Sequence, residues 1–384
     1  MKFSTFHLFP QPSDWSVPEV YRYETEIIQG ADDLGFDCAW IAEHHFRDYG
    51  VVPNTMLLLA HLAARTRRIR LGNAIVILPF HSPLRVAEDA AMTDILSGGR
   101  LNFGFGRGYQ SVEFAGFGVS MDDTRPRVDE ALDIVLKAWE GEPFSYDGRF
   151  YQVENVQVVP QPVQKPHPPV FVASINPESI RHYAARGIPF IVSGQETASD
   201  LERSCEMWRD IARANGYDPE AGEIVASRPV YLAETNQQAR EFVMSQPPSL
   251  PFAQAYNPHK NATTDYEQYA QQSAPIDPKT GKVARGYEYW EKGYQGRKPT
   301  DFLANTEEAW EGRWVAGDMD RVARKIEELE RMGVRNLICS FGLRGVGGRP
   351  PVADVLKTME RFARDVMPLF TERAPTEAQV APSD

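Results

Sequence analysis

The sequence has few cysteines, no long apolar run and no excess of positive charge. Its three cysteines, Cys38, Cys205 and Cys339, are odd in number and far apart, which argues against a disulfide framework and against a zinc site. No apolar run reaches the ~18 residues that a membrane span needs. The start of the chain also lacks the charged and apolar regions of a signal peptide. We therefore expect a cytoplasmic protein with no membrane partner.

Acidic residues outnumber basic ones, since 53 Asp and Glu stand against 41 Lys and Arg and give a formal net charge of −12. This balance favours solubility and argues against nucleic acid as a partner. Hydrophobic residues make up 42% of the 384 residues, which is enough for one large α/β domain or two ordinary ones. The early part of the chain contains no dinucleotide-binding fingerprint.

Strand-like and helix-like patterns alternate along most of the chain. Eight short apolar segments predict strands, at residues 2–8, 38–42, 69–78, 101–105, 170–173, 188–192, 224–233 and 336–341. Repeated βα units with right-handed crossovers close into a barrel. We therefore predict an α/β fold, a (β/α)8 TIM barrel with insertions. A doubly wound open sheet is the alternative, which the eight regular units and the missing fingerprint disfavour.

Two segments interrupt this alternation. Residues 146–159 surround Asp147-Gly148, which is a hairpin signal. Residues 245–312 are polar, aromatic and rich in turns, and a stretch of this length without periodicity is typical of a functional lid. Its aromatic side chains indicate either an apolar substrate or packing onto the barrel mouth. We expect a single domain over residues 1–370, closed by a helix over 352–370, and a flexible tail over 371–384.

The second predicted strand ends in three ionisable residues, Glu43, His44 and His45. Chemistry in a TIM barrel lies at the carboxyl ends of the strands, and histidine can move a proton near neutral pH. Because side chains alternate along a strand, the two histidines cannot both face one ligand. No third ligand at metal-site spacing follows. We predict one catalytic histidine, supporting neighbours and no metal.

Two other strand ends carry residues suited to an anion. Residues 104–109 are rich in glycine and include Arg107, which either donates to a phosphate or is a solvated residue of a turn. Residues 172–179 lead into a helix that has Asn176 as a plausible N-cap and Pro177 in its first position. The first turn of such a helix either binds an anion or is capped with nothing bound.

Taken together in chain order, these stretches resemble the bacterial luciferase-like superfamily of flavin-dependent monooxygenases. The likeness extends to Phe370 and rests on an ordered set of motifs, namely Met1-Lys2-Phe3, Gly35-Phe36-Asp37, Glu43-His44-His45-Phe46, Gly72 to Pro79, Gly98-Gly99-Arg100-Leu101, Gly104 to Gly108, Ala184-Ala185-Arg186-Gly187 and Asp365-Val366-Met367-Pro368. It is closest to the luciferase catalytic-subunit type. Residues 285–287 and 292–293 match the mobile loop of that subunit.

The resemblance implies a monooxygenase that binds reduced FMN at the carboxyl ends of the strands. A separate flavin reductase would supply the reduced FMN, and dioxygen would convert it to a flavin 4a-hydroperoxide. That species would oxygenate a small organic substrate, which the aromatic insertion suggests is apolar. The resemblance also implies a homodimer.

The resemblance assigns roles to residues by position. His44 matches the histidine credited with acid–base work on the flavin intermediate, and Glu43 and His45 support it. The Asn73-Ala74 bond matches a cis non-proline peptide beneath the flavin ring. The residues matched to cofactor-binding positions are Asn73, Ala74, Arg107, Ser174, Ile175 and Ser179.

Two positions depart from the family pattern, and two other functions stay open. Gly106 replaces a cysteine beside the flavin, which should widen the pocket or alter the lifetime of the flavin peroxide. Ile175 replaces the second serine of the phosphate segment, so only its backbone can contact a phosphate. One alternative function is a deazaflavin-dependent dehydrogenase on the same fold. The other is a non-catalytic flavin-binding or partner subunit, which the retention of His44 and Arg107 disfavours.

Overall fold

Parallel strands follow one another around a barrel in chain order. The computed structural model describes residues 1–12, 14–194, 196–245, 282, 307–341 and 349–371. Within these residues, the eight barrel positions are β1 (Lys2–His7), β2 (Cys38–Ile41), β3 (Arg70–Asn73), β5 (Leu101–Gly106), β8 (Val170–Ala173), β9 (Phe190–Val192), β10 (Val225–Leu232) and β12 (Asn336–Ser340). The barrel closes because β10 pairs in parallel with β9 on one side and with β12 on the other. The predicted TIM barrel is confirmed.

Four further strands of the described residues lie off this ring. β4 (Val76–Ile77) follows β3 after a short break and pairs with β5, so both occupy one barrel position. β6 (Phe144–Asp147) and β7 (Gln152–Val156) form an antiparallel hairpin, as the hairpin signal predicted. β11 (Val315–Gly317), which the sequence did not predict, pairs in parallel with the end of β10.

Helices connect the strands and cover the outside of the barrel. In the described residues they are α1 (Val17–Leu34), α2 (Thr55–Ala63), α3 (Pro83–Ser97), α4 (Ser111–Phe117), α5 (Thr124–Ala138), α6 (Pro177–Ala184), α7 (Ala198–Ala214), α8 (Asn236–Ser245), α9 (Glu307–Gly312), α10 (Met319–Met332), α11 (Val352–Asp365) and α12 (Pro368–Thr371). The sequence sets the bounds of α1. At its start, Glu19 accepts hydrogen bonds from the backbone and hydroxyl of Ser16, and at its end Gly35 adopts a left-handed φ of 83°. None of these helices has the length and apolarity that crossing a membrane requires.

The final helix differs from its prediction, and the predicted insertion and tail lie largely outside the described residues. A single helix over 352–370 is wrong, because α11 ends at Asp365 and α12 begins at Pro368. Proline lacks the N–H that would continue the helix. Of the predicted insertion, 245–312, the described part is Ser245, Lys282 and α9, so its lid role and the loop residues 285–287 and 292–293 lie outside the described residues. The tail beyond 371 also lies outside them.

Apolar side chains fill part of the interior of the barrel. A cluster of buried side chains packs inside the ring, formed by Cys38, Trp40, Phe171, Ile191, Val225 and Ile338. The rings of Trp40 and Phe171 meet edge to face, with centroids 5.3 Å apart. A larger apolar cluster lies between the strands and the surrounding helices.

A buried carboxyl group, that of Glu196, lies after the end of β9. Both carboxylate oxygens of Glu196 are buried and have no hydrogen-bond partner among the described residues. Burial of this carboxyl raises its pKa to about 7, although the nearby guanidinium of Arg228 opposes the rise. Arg228 is itself buried on β10. The ionised form of Glu196 is therefore disfavoured in the folded protein.

Candidate active site

A cavity of about 430 Å³ opens at the carboxyl ends of the barrel strands. Glu43 and His44 line it after β2, and Ala74 and Ile75 line it between β3 and β4. Arg107 lines it after β5. The cavity therefore lies at the end of the barrel where TIM-barrel enzymes carry their chemistry.

His44 is held in the cavity wall by a buried carboxylate. Its Nδ1 lies 2.9 Å from Oε1 of Glu113, which is fully buried on α4, and 2.9 Å from the side-chain nitrogen of Gln110. With Nδ1 protonated, the ring donates to Glu113. A turn of the Gln110 amide then presents its Oε1, which has no partner among the described residues, to the same nitrogen. Nε2 is the ring nitrogen that neither Glu113 nor Gln110 contacts.

Glu113 also fixes the backbone beside this histidine. Its Oε1 accepts a hydrogen bond of 2.9 Å from the backbone N–H of His45. Two tyrosine rings enclose the imidazole of His44 edge to face, with Tyr49 at 4.5 Å and Tyr109 at 6.2 Å between centroids. A histidine oriented through one nitrogen by a carboxylate and enclosed by aromatic rings is suited to moving a proton at its other nitrogen.

The side chain of His45 belongs to a different cluster. Its Nε2 lies 3.1 Å from Oε1 of Glu43, and Nε2 of His81, from the segment after β4, lies 2.8 Å from the same oxygen. Burial would raise the pKa of the Glu43 carboxyl, but the hydrogen bonds from the two histidines outweigh burial and lower it. Burial would lower the pKa of His81, but its hydrogen bond to Glu43 outweighs burial and raises it. The sequence argument found no third ligand near the two adjacent histidines, whereas the structure brings His81 to them.

Hydroxyl and guanidinium groups gather at another side of the cavity. Arg107, Ser174, Ile175 and Ser179 all line it, as the sequence grouped them. The structure adds Arg125 on α5, whose Nη2 donates to Oγ of Ser179 over 3.3 Å. This donor set has the chemistry of a phosphate site, since guanidinium groups and hydroxyls are its usual donors.

The start of α6 supports this side of the cavity. Oδ1 of Asn176 accepts from the backbone N–H of Glu178 over 2.8 Å, so Asn176 is the N-cap that the sequence predicted. Oγ of Ser174 accepts from the backbone N–H of Asn176 over 3.1 Å. The carboxylate of Glu178 is exposed and pairs with Nη1 of Arg125 at 2.7 Å. Glu178 therefore neutralises part of the charge of Arg125 in the absence of another anion.

The cis peptide bond lies one residue later than predicted. It joins Ala74 to Ile75, whereas the sequence placed it between Asn73 and Ala74. Asn73 does not line the cavity, because it is the last residue of β3 and its buried side chain donates to the carbonyl oxygen of Gly104. The side chain of Asn73 therefore contacts the barrel wall, and Ala74 and Ile75 are the residues of this segment that line the cavity. The cofactor role of Asn73 stays a prediction.

The space beside Gly106 is occupied by a neighbouring side chain. A methyl group added to its Cα would collide with Cδ1 of Ile75, which occupies the space a side chain at 106 would need. The expectation of a wider pocket assumed that the missing side chain leaves a void. The neighbouring isoleucine fills that void instead.

Comparison with known proteins places this site in a family. The sequence profile described as Luciferase-like monooxygenase matches residues 1–336. The chain belongs to the luciferase-like monooxygenase family. The family predicted from the motifs is therefore confirmed, and with it the class of oxidoreductase and monooxygenase.

Other luciferase-like proteins match most of this chain. It is 25% identical over 380 residues to an alkanal monooxygenase alpha chain from the Kryptophanaron alfredi symbiont, covering 97% of this chain and 99% of that protein. It is 33% identical over 251 residues to the oxygenase component of a flavin-dependent trigonelline monooxygenase from Acinetobacter baylyi, covering 62% of this chain and 67% of that protein. The crystal structure of monooxygenase RslO1 from Streptomyces bottropensis superposes with a TM-score of 0.72 at 26% identity, covering 96% of this chain and 100% of that one.

Sequence reasoning missed the residues that contact the predicted luciferase-like site from elsewhere in the chain. These are Gln110, Glu113, Arg125 and His81. Glu113 lies on α4, a short helix that the sequence did not predict. Only its acidic side chain within an otherwise apolar Val-Glu-Phe-Ala run hinted at a buried role. The assignments of His44, Glu43, His45, Ala74, Arg107, Ser174, Ile175 and Ser179 to catalysis or cofactor binding stay predictions.

Proposed function

We propose that this protein is an FMN-dependent monooxygenase that uses reduced flavin and dioxygen to oxygenate a small, apolar organic substrate. The observation that carries the proposal is that His44 lines the cavity while its Nδ1 is held by Glu113. Family membership supports the reaction class.

The residues of the cavity fit FMN at its phosphate. Arg107, Ser174 and Ser179 would hold the phosphate, and Ile175 would contribute only its backbone. Arg125 would add a second guanidinium, because its contact with Ser179 already brings it to this side of the cavity. Ala74 and Ile75 would contribute an apolar wall for the flavin ring.

His44 would act as the proton donor and acceptor of the site. Reduced FMN, when bound, would supply the electrons that activate dioxygen. Glu113 would keep Nδ1 of His44 protonated, so that Nε2 exchanges the proton with the reacting groups. The rings of Tyr49 and Tyr109 would limit the access of water to that nitrogen.

Two partners belong to the proposal. A separate flavin reductase would deliver reduced FMN, in keeping with the trigonelline relative, which is an oxygenase component. A second copy of the chain would cover the outer faces of α2 and α3, which pack against each other. These faces expose large apolar side chains, among them Leu57 at 72% and Leu96 at 59%.

The deciding experiment is substrate-dependent oxygen uptake with photochemically reduced FMN, over a panel that includes long-chain aldehydes and pyridinium carboxylates. We expect uptake coupled to product for the wild type. His44→Ala should bind FMN with unchanged affinity and lose product, with oxygen appearing as hydrogen peroxide. His182→Ala is the control, since that histidine is exposed and pairs with Asp129 on the outside of the barrel.

Three results would contradict the proposal. Unchanged product yield in His44→Ala would remove this histidine from the mechanism. Tight binding of a deazaflavin with no binding of FMN would favour the dehydrogenase. If folded protein binds reduced FMN but forms no product with any substrate of the panel, the non-catalytic subunit is favoured.

A further inference from the structure

A second cluster of ionisable side chains lies behind the catalytic histidine. Oε1 of Glu43, Nε2 of His45 and Nε2 of His81 all lie within 4.8 Å of one another. Two neutral imidazoles and one carboxylate form a ligand set that proteins use for zinc and related ions, with water completing the coordination. We propose that Glu43, His45 and His81 form a binding site for a divalent transition-metal ion of the zinc class.

The hydrogen-bond pattern around Glu43 supports this site. Its Oε1 is approached by Nε2 of His81 at 2.8 Å, by Nε2 of His45 at 3.1 Å and by the backbone N–H of Ile77 at 3.3 Å. A carboxylate oxygen has two lone pairs, so three nitrogen donors on one oxygen exceed its capacity. Among the described residues, every hydrogen bond of the Glu43 carboxylate is made by this oxygen. A cation between the side chains removes the excess, because the imidazoles then direct lone pairs at the ion.

The distances suit a single ion. Two ligands that each lie about 2.1 Å from a metal are separated by roughly 3.0–3.4 Å in octahedral or tetrahedral geometry. The separations of 3.1 and 2.8 Å from Oε1 to the two histidine nitrogens need adjustments of only a few tenths of an ångström. The two histidine nitrogens lie within 4.8 Å of each other and would move closer together around the ion. The side chain of His81 is 27% exposed, which gives an ion a path from solvent. The ring of Phe117 packs against His45, with centroids 4.7 Å apart, and restricts how far that ligand can turn.

The site would tie two segments of the chain together. Glu43 and His45 follow β2, and His81 follows β4, so a shared ion joins the ends of two barrel positions. His44 lies between the two β2-end ligands with its own ring bonded to Glu113. The ion would therefore stabilise the backbone that presents His44. This role is independent of the flavin chemistry proposed above.

Metal binding is tested on the intact protein without flavin. After treatment with a chelator and gel filtration, the protein is titrated with Zn2+ and with Co2+, and bound metal is measured by mass spectrometry and by the Co2+ absorption bands. We expect one equivalent bound. Loss of an outer-shell partner weakens metal affinity by about 10- to 100-fold. His81→Ala removes a direct ligand and should weaken metal binding by more than that. His182→Ala, which removes an exposed histidine of another ion pair, should bind as the wild type does.

A second measurement keeps the test decisive if His81→Ala does not fold. In the wild-type protein, Zn2+ should shift the 15N resonances of the Nε2 atoms of His45 and His81 and leave those of His182 unchanged. Absence of stoichiometric binding would overturn the proposal. Binding that is equal in His81→Ala and in the wild type would also overturn it, as would resonances of His45 and His81 that do not respond.

Discussion

Replacing Arg107 with alanine should separate the binding of FMN from that of riboflavin. Arg107 lines the same side of the cavity as Ser174 and Ser179, where the phosphate of FMN is proposed to lie. A hydrogen bond to a charged group contributes about 1.5–3 kcal/mol. Loss of this hydrogen bond should weaken the binding of FMN by about 10- to 150-fold. Riboflavin has no phosphate and should bind both proteins equally well.

The assay is a fluorescence titration of each flavin with wild-type and variant protein, repeated anaerobically by absorbance for the reduced flavins. Arg186→Ala is the control, because it also removes one positive charge but from a pair with Asp133 that does not line the cavity. Equal losses for FMN and riboflavin would mean that Arg107 acts through the fold and not on a phosphate. No loss for either flavin would refute the placement of the phosphate.

Three other perturbations test the site, a buried acid and the proposed dimer. Glu113→Ala leaves two buried donors without their acceptor at about 1–3 kcal/mol each, so urea unfolding should show a loss of stability of about 2–6 kcal/mol. Glu113→Gln keeps one acceptor and should lose clearly less stability, and equal losses would contradict the reasoning. The pKa of Glu196 is raised to about 7 in the folded state. The contribution of its protonated carboxyl to the free energy of unfolding is therefore fully present below the pKa of the unfolded state and is lost as pH rises through about 7. The stability of the wild type relative to Glu196→Gln should therefore fall by about 3 kcal/mol between pH 4 and pH 8. A difference in stability that stays constant with pH would show that burial does not perturb the pKa of this acid. The double variant Leu57→Lys and Leu96→Lys should sediment as a monomer, whereas Met319→Lys, at an exposed apolar position on α10, should sediment as the wild type does.

Periodicity predicted the barrel well because a buried strand is marked by a short apolar run in its own sequence. The apolar run after Phe36 ends in charge, and this was enough to place His44 at the carboxyl end of a strand. The segments that failed are those whose structure depends on distant neighbours. The helix over 352–370 is interrupted before Pro368, and the cis peptide is displaced by one residue to Ala74-Ile75.

The candidate site could be predicted only in part, because its residues are brought together by loops. Glu113 is separated from His44 by 69 positions, and its helix carries no periodic signal strong enough to mark it. His81 looks like an ordinary residue before α3 until the fold places it against Glu43. Spacing along the chain identifies groups that share a strand end, and it cannot identify groups that meet across two of them.

The shared space of positions 75 and 106 has a consequence for engineering this barrel. Since the side chain of Ile75 fills the volume next to Gly106, the two positions behave as a coupled pair. A library that varies them one at a time would record a cysteine at 106 as harmful and a small residue at 75 as a mere cavity. Varied jointly, with bulk moved from one position to the other, they offer a way to reshape the cavity wall at nearly constant packed volume.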